Sequence, residues 1–276
     1  MSPETKLGPM QEDGFDLDAY LDRIGAKAGP PSEVTLDEIV RAHARAIPFE
    51  NLDIHRGLPI RLDLASLMAK LVHARRGGYC FEHNTLLRRV LEELGFSVRA
   101  LAARVRYLGP APLPRTHMLL LVDIGPRTLL ADVGFGGRNL REPIPFEIGP
   151  TIVQGRESYR FEREDEVVVL RSVLPDGERD LYAFGLERQH AIDFEMASWF
   201  TSTHPTSRFV QKKVAARVAD GVRVSLVDRE LRRVVTRADG REDVSVRELA
   251  PGPEWLTVVR EELGIQVPDD PPIRWS

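Results

Sequence analysis

The chain holds one cysteine, Cys80, inside the run Arg76-Gly77-Gly78-Tyr79-Cys80-Phe81-Glu82-His83-Asn84. A cysteine becomes a nucleophile when it is held as a thiolate, which a helix N-terminus or a neighbouring imidazolium favours. The residues after it place apolar side chains at Phe81, Leu86, Leu87, Val90, Leu91 and Leu94 and stop at Gly95, a spacing that predicts an amphipathic helix. Cys80 then lies at the start of that helix, beside unpaired backbone N–H groups and the positive end of the macrodipole. Gly77 and Gly78 let the backbone turn tightly and leave the sulfur uncrowded. A lone cysteine is also common as a small buried apolar residue, so the chemistry depends on a base being within reach.

Seven histidines are candidates for that base. His43 and His73 fall within predicted helices, and His55, His190 and His204 in connecting segments. His83 is three residues after Cys80, but a side chain at a helix start points towards the N-terminus, away from the next turn. His117 differs, because it opens the apolar run His117-Met118-Leu119-Leu120-Leu121-Val122. Asp132 sits in a second apolar run, Leu129-Leu130-Ala131-Asp132-Val133, and Gly125-Pro126 between the two predicts a hairpin from Thr116 to Phe135. A four-residue turn over Asp123 to Pro126 sets His117 directly opposite Asp132. A three-residue Gly125 to Arg127 loop instead sets Asp132 opposite Leu120, on the other face. Paired, Asp132 is expected to accept from Nδ1 of His117 and leave Nε2 for Cys80. A buried His–Asp pair that only stabilises the sheet is the alternative for these two residues taken alone.

The elements that must position these groups change character along the chain. Phe15 to Ile24 reads as a helix closed by Gly25 or by the later Gly29-Pro30-Pro31 break, Thr35 and Glu38 read as a capping box opening a second, and Asp63 caps a third. Ile47 to His55 reads as irregular, and the opening dozen residues as polar and frayed. From Ser97 onward the pattern is β-like, with further strands at Ser158 to Glu162, Glu166 to Val173 and Leu181 to Phe184, implying a small barrel or strongly curved sheet. After a helix over Ile192 to Phe200, strands at Val214 to Val218, Val222 to Val227 and Arg233 to Thr236 precede a helix at Glu254 to Leu263. The expected domains are 1–95, helical with the nucleophile; 96–200, β with His117 and Asp132; and 201–276, α/β.

With 42% hydrophobic and 29% charged residues, the composition is that of a soluble globular protein. A net charge of −4 argues against general nucleic-acid binding. A single cysteine makes neither an internal disulfide nor a thiolate zinc cluster and fits a reducing cytoplasm. No apolar run approaches membrane-spanning length.

The block Arg76 to Asn84, the earlier Ile47-Pro48-Phe49-Glu50-Asn51-Leu52-Asp53, the His117–Gly137 hairpin and Ser202-Thr203-His204-Pro205-Thr206-Ser207-Arg208-Phe209 together resemble the arylamine N-acetyltransferase family. The resemblance runs from about Tyr20 to Phe209 and more loosely to the C-terminal helix. It implies an α+β fold: a helical N-terminal domain, a β-barrel middle domain and an α/β C-terminal lid, with a papain-like cysteine-enzyme core. It implies that Cys80 is the nucleophile, His117 the base and Asp132 the orienting acid. An acetyl group then passes from acetyl-CoA through an acyl-cysteine to an arylamine, arylhydrazine or arylhydroxylamine, with no metal. The partners implied are that small acceptor and coenzyme A, without nucleic acid or membrane.

By the same resemblance, Phe49, Phe135 and Phe209 fall on aromatics of the acceptor pocket, and Gly136, Gly137, Thr116 and Arg208 on the cofactor side. Arg138, Arg208, Lys212 and Lys213 are the basic residues near these motifs, each equally readable as a solvated surface charge. Ser198 departs from the pattern, since many relatives carry Asn there. Three other readings stay open. One is a macrolactam-forming amide synthase of the same family. The others are a papain- or transglutaminase-like hydrolase and a binding module with a vestigial triad. The aromatics and the Thr203 to Phe209 block favour a transferase.

Overall fold

Local signals start and stop the helices. In a computed structural model of the chain, residues 13–275 are described apart from 108, 110–112, 139, 156, 175, 176, 220, 238 and 240. The expectation for the opening dozen residues lies outside them. Asp16 accepts from the Ala19 N–H at 2.9 Å to open α1 (Leu17–Ile24), and Gly25 closes it with φ 70°. The second helix, α2 (Glu33–Ala46), begins two residues ahead of the expected Thr35, because Ser32 is the cap and accepts from the Thr35 N–H at 3.1 Å. Asp63 opens α4 (Leu64–Leu67) as expected, and a π-helical turn, Met68–His73, continues it. Cys80 is the first residue of α5 (Cys80–Glu93).

The segment expected to be irregular is ordered: it forms β1 (Phe49–Glu50) and the short α3 (Leu52–Arg56). Its partners are remote. The Glu50 N–H donates to the Gly78 carbonyl at 2.7 Å, and Phe49 pairs with Ala216. No local periodicity could announce such a strand.

Eight antiparallel strands follow: β2 (Ser97–Val105), β3 (His117–Ile124), β4 (Arg127–Ala131), β5 (Ile144–Pro145), β6 (Thr151–Gln154), β7 (Glu157–Glu164), β8 (Val167–Leu174) and β9 (Gly177–Phe184). They form one barrel-like sheet in the order β5-β4-β3-β2-β9-β8-β7-β6. From Met118 to Val122, β3 is apolar because it is buried on both faces. Met118, Leu120 and Val122 pack on the helices, whereas Leu119 and Leu121 point inward with Phe161, Leu170 and Phe184.

The β3–β4 turn is neither alternative read from the sequence. Ile124 pairs with Arg127, leaving the two residues Gly125 and Pro126, with Gly125 at φ 57° as a primed turn requires. Leu120 pairs with Ala131, so Asp132 lies one step past the ladder, diagonal to His117 and not directly opposite. The parity is unchanged, and both side chains stay on the inward face.

The remainder is α6 (Ala191–Thr203), α7 (Arg208–Gln211), β10 (Val214–Ala219), β11 (Val222–Val227), β12 (Glu230–Thr236), β13 (Glu242–Glu248) and α8 (Pro253–Glu261). Strands β10 to β13 and β1 make a second sheet in the order β1-β10-β11-β12-β13. Its inner face, with Leu226 and Leu231, packs on Trp255 and Val259 of α8. The architecture is the expected α+β one of helices, barrel-like sheet and α/β lid. Among the described residues no helix is long and apolar enough to cross a membrane.

Candidate active site

Cys80 starts its helix against the end of β3, and its thiol donates to the Thr116 carbonyl at 3.5 Å. His117, the next residue, is 2% exposed, and its Nε2 lies 2.7 Å from Oδ2 of the fully buried Asp132. The expected Nδ1 contact is therefore wrong: the ring is turned so that Nε2 meets the carboxylate and Nδ1 is left for Cys80. Burial alone would push the His117 pKa down, but the Asp132 charge and the hydrogen bonds that the ring donates to Asp132 and Cys80 prevail and hold it up at about 10. Burial likewise opposes ionisation of Asp132, yet the His117 charge and its hydrogen bonds keep its pKa below the ordinary carboxylate value. The ground state this favours is imidazolium beside carboxylate.

Two residues that the sequence reading did not single out hold that carboxylate. Asn84, four positions after Cys80 on the same helix face, donates from Nδ2 to Asp132 Oδ1 at 3.0 Å and to the Met118 carbonyl at 2.7 Å. The Gly134 N–H donates to the same Oδ1 at 2.9 Å. The i, i+4 relation between Cys80 and Asn84 was the available signal. At Gly134 a Cβ would lie 2.6 Å from the Cys80 Cα and 2.7 Å from Asn84 Nδ2. Gly134→Ala is therefore expected to force these backbones apart, lowering stability by about 1–3 kcal/mol and turnover with it. A melting curve and a rate measurement on the same sample check both.

The segment before Cys80 is fixed from beneath. Glu82 accepts from the Tyr79 N–H at 3.0 Å and pairs with Lys70 at 2.7 Å. Arg76 is buried between Glu50 and Asp53, at 2.7 and 2.8 Å. This explains why the Phe49–Asp53 and Arg76–Asn84 motifs go together: the carboxylates of one neutralise the arginine of the other. Ser198 of α6 meets the Tyr79 hydroxyl and so contacts the residue just before Cys80.

His83 points away from Cys80, as expected from its place on the helix. Its Nε2 faces the Pro48 carbonyl at 3.2 Å, which only an N–H can satisfy, so its Nδ1 accepts from His43 Nε2 at 2.8 Å. His43 Nδ1 in turn accepts from the Tyr20 hydroxyl at 2.8 Å. Burial lowers the pKa of both imidazoles, His83 to about 4.

Above Cys80 opens a cavity of about 730 Å³ between the barrel-like sheet and the lid sheet. Phe49, Phe135 and Phe209 line it, as do Thr116, His117, Gly136, Gly137 and Arg208. The Phe135 ring lies 4.9 Å from the His117 ring, and so does Tyr182, an inward residue of β9 missed from the sequence. Asp132 sits behind His117, outside the cavity wall. Lys212 and Lys213 do not line the cavity: Lys212 pairs with Asp228 at 2.7 Å, and Lys213 is buried with its ammonium 5.7 Å from the Trp275 ring. The Arg138 side chain lies outside the described residues.

Known proteins resemble this chain over most of its length. The N-acetyltransferase family model matches residues 34–271. The arylamine N-acetyltransferase of Mycobacterium tuberculosis is 42% identical over 262 residues, covering 92% of this chain and 91% of its own length. Among solved structures, the Mycobacterium marinum arylamine N-acetyltransferase in complex with CoA superimposes with a TM-score of 0.84 at 40% identity, covering 91% of this chain and 93% of its own. The Mycobacterium abscessus enzyme superimposes with a TM-score of 0.87 at 29% identity, covering 96% of each chain. The chain belongs to the arylamine N-acetyltransferase family.

Proposed function

We propose that Cys80, His117 and Asp132 carry acetyl transfer from acetyl-CoA to the nitrogen of an arylamine, arylhydrazine or arylhydroxylamine. The observation that carries this reading is the buried His117–Asp132 pair beside the only cysteine, at the base of an aromatic-walled cavity. The Cys80 thiolate attacks the thioester carbonyl, forming a new C–S bond. Coenzyme A leaves as its thiolate and takes the His117 proton. The amine then attacks acetyl-Cys80, His117 accepts the amine proton at Nδ1, and Cys80 leaves as the thiolate, restoring the starting charges. Asp132 stays ionised throughout and fixes the ring. Family membership and the CoA complex of the M. marinum relative support this donor. The free nucleophilic thiol suits a reducing cytoplasm, where we place the protein. We further take 1–95, 96–200 and 201–276 as its three structural parts.

Thr116, Gly136, Gly137 and Arg208 are the residues we assign to the donor side, and Phe49, Phe135 and Phe209 to the acceptor. Incubation with acetyl-CoA and a panel of arylamines and hydrazines should release CoA continuously only when an acceptor is present. Steady release without acceptor would mean hydrolysis instead. Phe135→Ala should change the ranking of acceptors, because its ring offers a flat stacking surface beside the acyl-cysteine. A uniform loss across the panel, with acetylation slowed equally, would assign Phe135 to packing.

A further inference from the structure

His43 and His83 are buried imidazoles that the acetyl-transfer chemistry does not use. Their hydrogen bonds run in one direction only. The Pro48 carbonyl can only accept, so His83 Nε2 donates to it, His43 Nε2 donates to His83 Nδ1, and the Tyr20 hydroxyl donates to His43 Nδ1. Each ring must be neutral for this, since a charged one would turn an N–H towards another donor. The chain thus crosses from α1 through α2 and α5 and ends on the residue just before β1.

That end is close to the reacting groups. The Pro48 carbonyl oxygen lies against the segment before Cys80: a Cβ at Gly77 would be 2.0 Å from it. The next residue, Phe49, lines the cavity, and its ring lies parallel to the His83 imidazole, with centroids 6.3 Å and planes 7° apart. Phe209, also of the cavity wall, is tilted against the same ring at 5.9 Å. One imidazole therefore serves the wall twice, by a hydrogen bond to the Pro48 carbonyl and by a flat face against Phe49. A phenylalanine at position 83 would keep the face and lose the donor, whereas a glutamine would keep a donor and lose the face.

We propose that His83 is a positioning residue for the acceptor: at the end of the chain from Tyr20, it holds the Pro48–Phe49 wall in the shape that seats a flat aromatic amine beside Cys80. With the hydrogen bond made, the wall is ordered before the amine arrives. Without it, the Pro48 carbonyl is left unpaired and the ordering has to be met during binding, which weakens binding by that amount. An acceptor without a ring does not use the wall and escapes the effect. The inference rests on the reading of Phe49 as an acceptor-side aromatic and adds to it the residue that sets its position.

The test compares two acceptors, aniline and hydrazine, with acetyl-CoA as donor, for wild type, His83→Phe, His83→Gln, Tyr20→Phe and Phe49→Leu. In His83→Phe the kcat/KM for aniline, relative to that for hydrazine, is expected to fall about tenfold, the scale of one buried acceptor left unpaired. The rate of Cys80 acetylation in single turnover should stay near wild type. His83→Gln should recover most of the ratio. Tyr20→Phe removes the far end of the chain but leaves the His83–Pro48 contact, so it should lower the melting temperature and spare the ratio. An unchanged ratio in His83→Phe, or an equal fall in Tyr20→Phe, overturns the assignment and makes the chain a matter of stability alone. Nitrogen-15 spectra of the wild-type imidazoles test the chain without any variant: both rings should be neutral with the proton on Nε2, and an Nδ1–H or charged ring at either position overturns it. Phe49→Leu separates the two readings. If it leaves the ratio unchanged, the acceptor reading of Phe49 fails and this inference with it. If it lowers the ratio while His83→Phe does not, only this inference falls.

Discussion

Asp132→Asn is expected to lower turnover by about 10⁴-fold, the scale at which removing the charge of a triad acid acts. The hydrogen bonds around the carboxylate show why a side chain of the same shape fails. Oδ1 of Asp132 accepts from two donors, Asn84 Nδ2 and the Gly134 N–H, while Oδ2 faces His117 Nε2. An asparagine must turn its oxygen towards the two donors, which aims its NH₂ at His117. Nε2 then has to accept, the ring proton moves to Nδ1, and the nitrogen facing Cys80 can no longer take a proton. The negative charge that holds the His117 pKa up at about 10 is lost as well. Alkylation of Cys80 by iodoacetamide near neutral pH should therefore be slower in the variant than in wild type.

The same substitution has a pH-dependent effect on stability. His117 has a folded pKa raised above its ordinary 6.5 to about 10, so its contribution is complete below pH 6.5 and fades as pH rises towards 10. Asp132 has a folded pKa below its ordinary 3.8, so its contribution is present above that pH and lost on acidification. The gap in melting temperature between wild type and Asp132→Asn should be widest between about pH 4 and 6.5 and shrink towards pH 10. Breaking a buried pair is worth about 3–5 kcal/mol. If the variant stays folded and its alkylation rate matches wild type, Asp132 is a structural partner and the site reduces to Cys80 and His117.

Much of this site was legible because polar residues stood where the pattern demanded apolar ones. His117 stands at the head of one apolar run and Asp132 inside another, and Cys80 begins a well-patterned helix. The register was not legible, since Gly-Pro can close turns of several lengths and only the folded ladder selects two residues. Nor was the ring's direction, because a sequence does not record which imidazole nitrogen faces its partner. Phe49–Glu50 was read as irregular because its partners, Gly78 and Ala216, are far along the chain. Strand β13 went unread for the opposite reason: every one of its residues is exposed at a sheet edge, so no buried alternation marks it. Gly134 was not singled out in the sequence, and only the closeness of the Cys80 backbone reveals what it permits.

Cys80→Ser is expected to abolish turnover, by at least about 10³-fold, since a serine hydroxyl is not ionised near neutral pH and the acyl-enzyme then has no nucleophile to form on. The change should spare the fold. Oxygen replaces sulfur with little difference in volume, and the carbonyl of Thr116, 3.5 Å from the thiol, can accept from a hydroxyl instead. Melting temperature should therefore stay close to wild type while rate collapses, which separates a lost nucleophile from a lost structure.

The central claim is a covalent acetyl-cysteine at position 80. Brief incubation with acetyl-CoA, followed by intact mass and peptide mapping, tests it most directly. Wild type should gain one acetyl group on Cys80, lose it when an arylamine is added, and yield the amide in equal amount, while Cys80→Ser gains none. An acetyl group on another residue, or amide formed by Cys80→Ser at a rate near that of wild type, would contradict it.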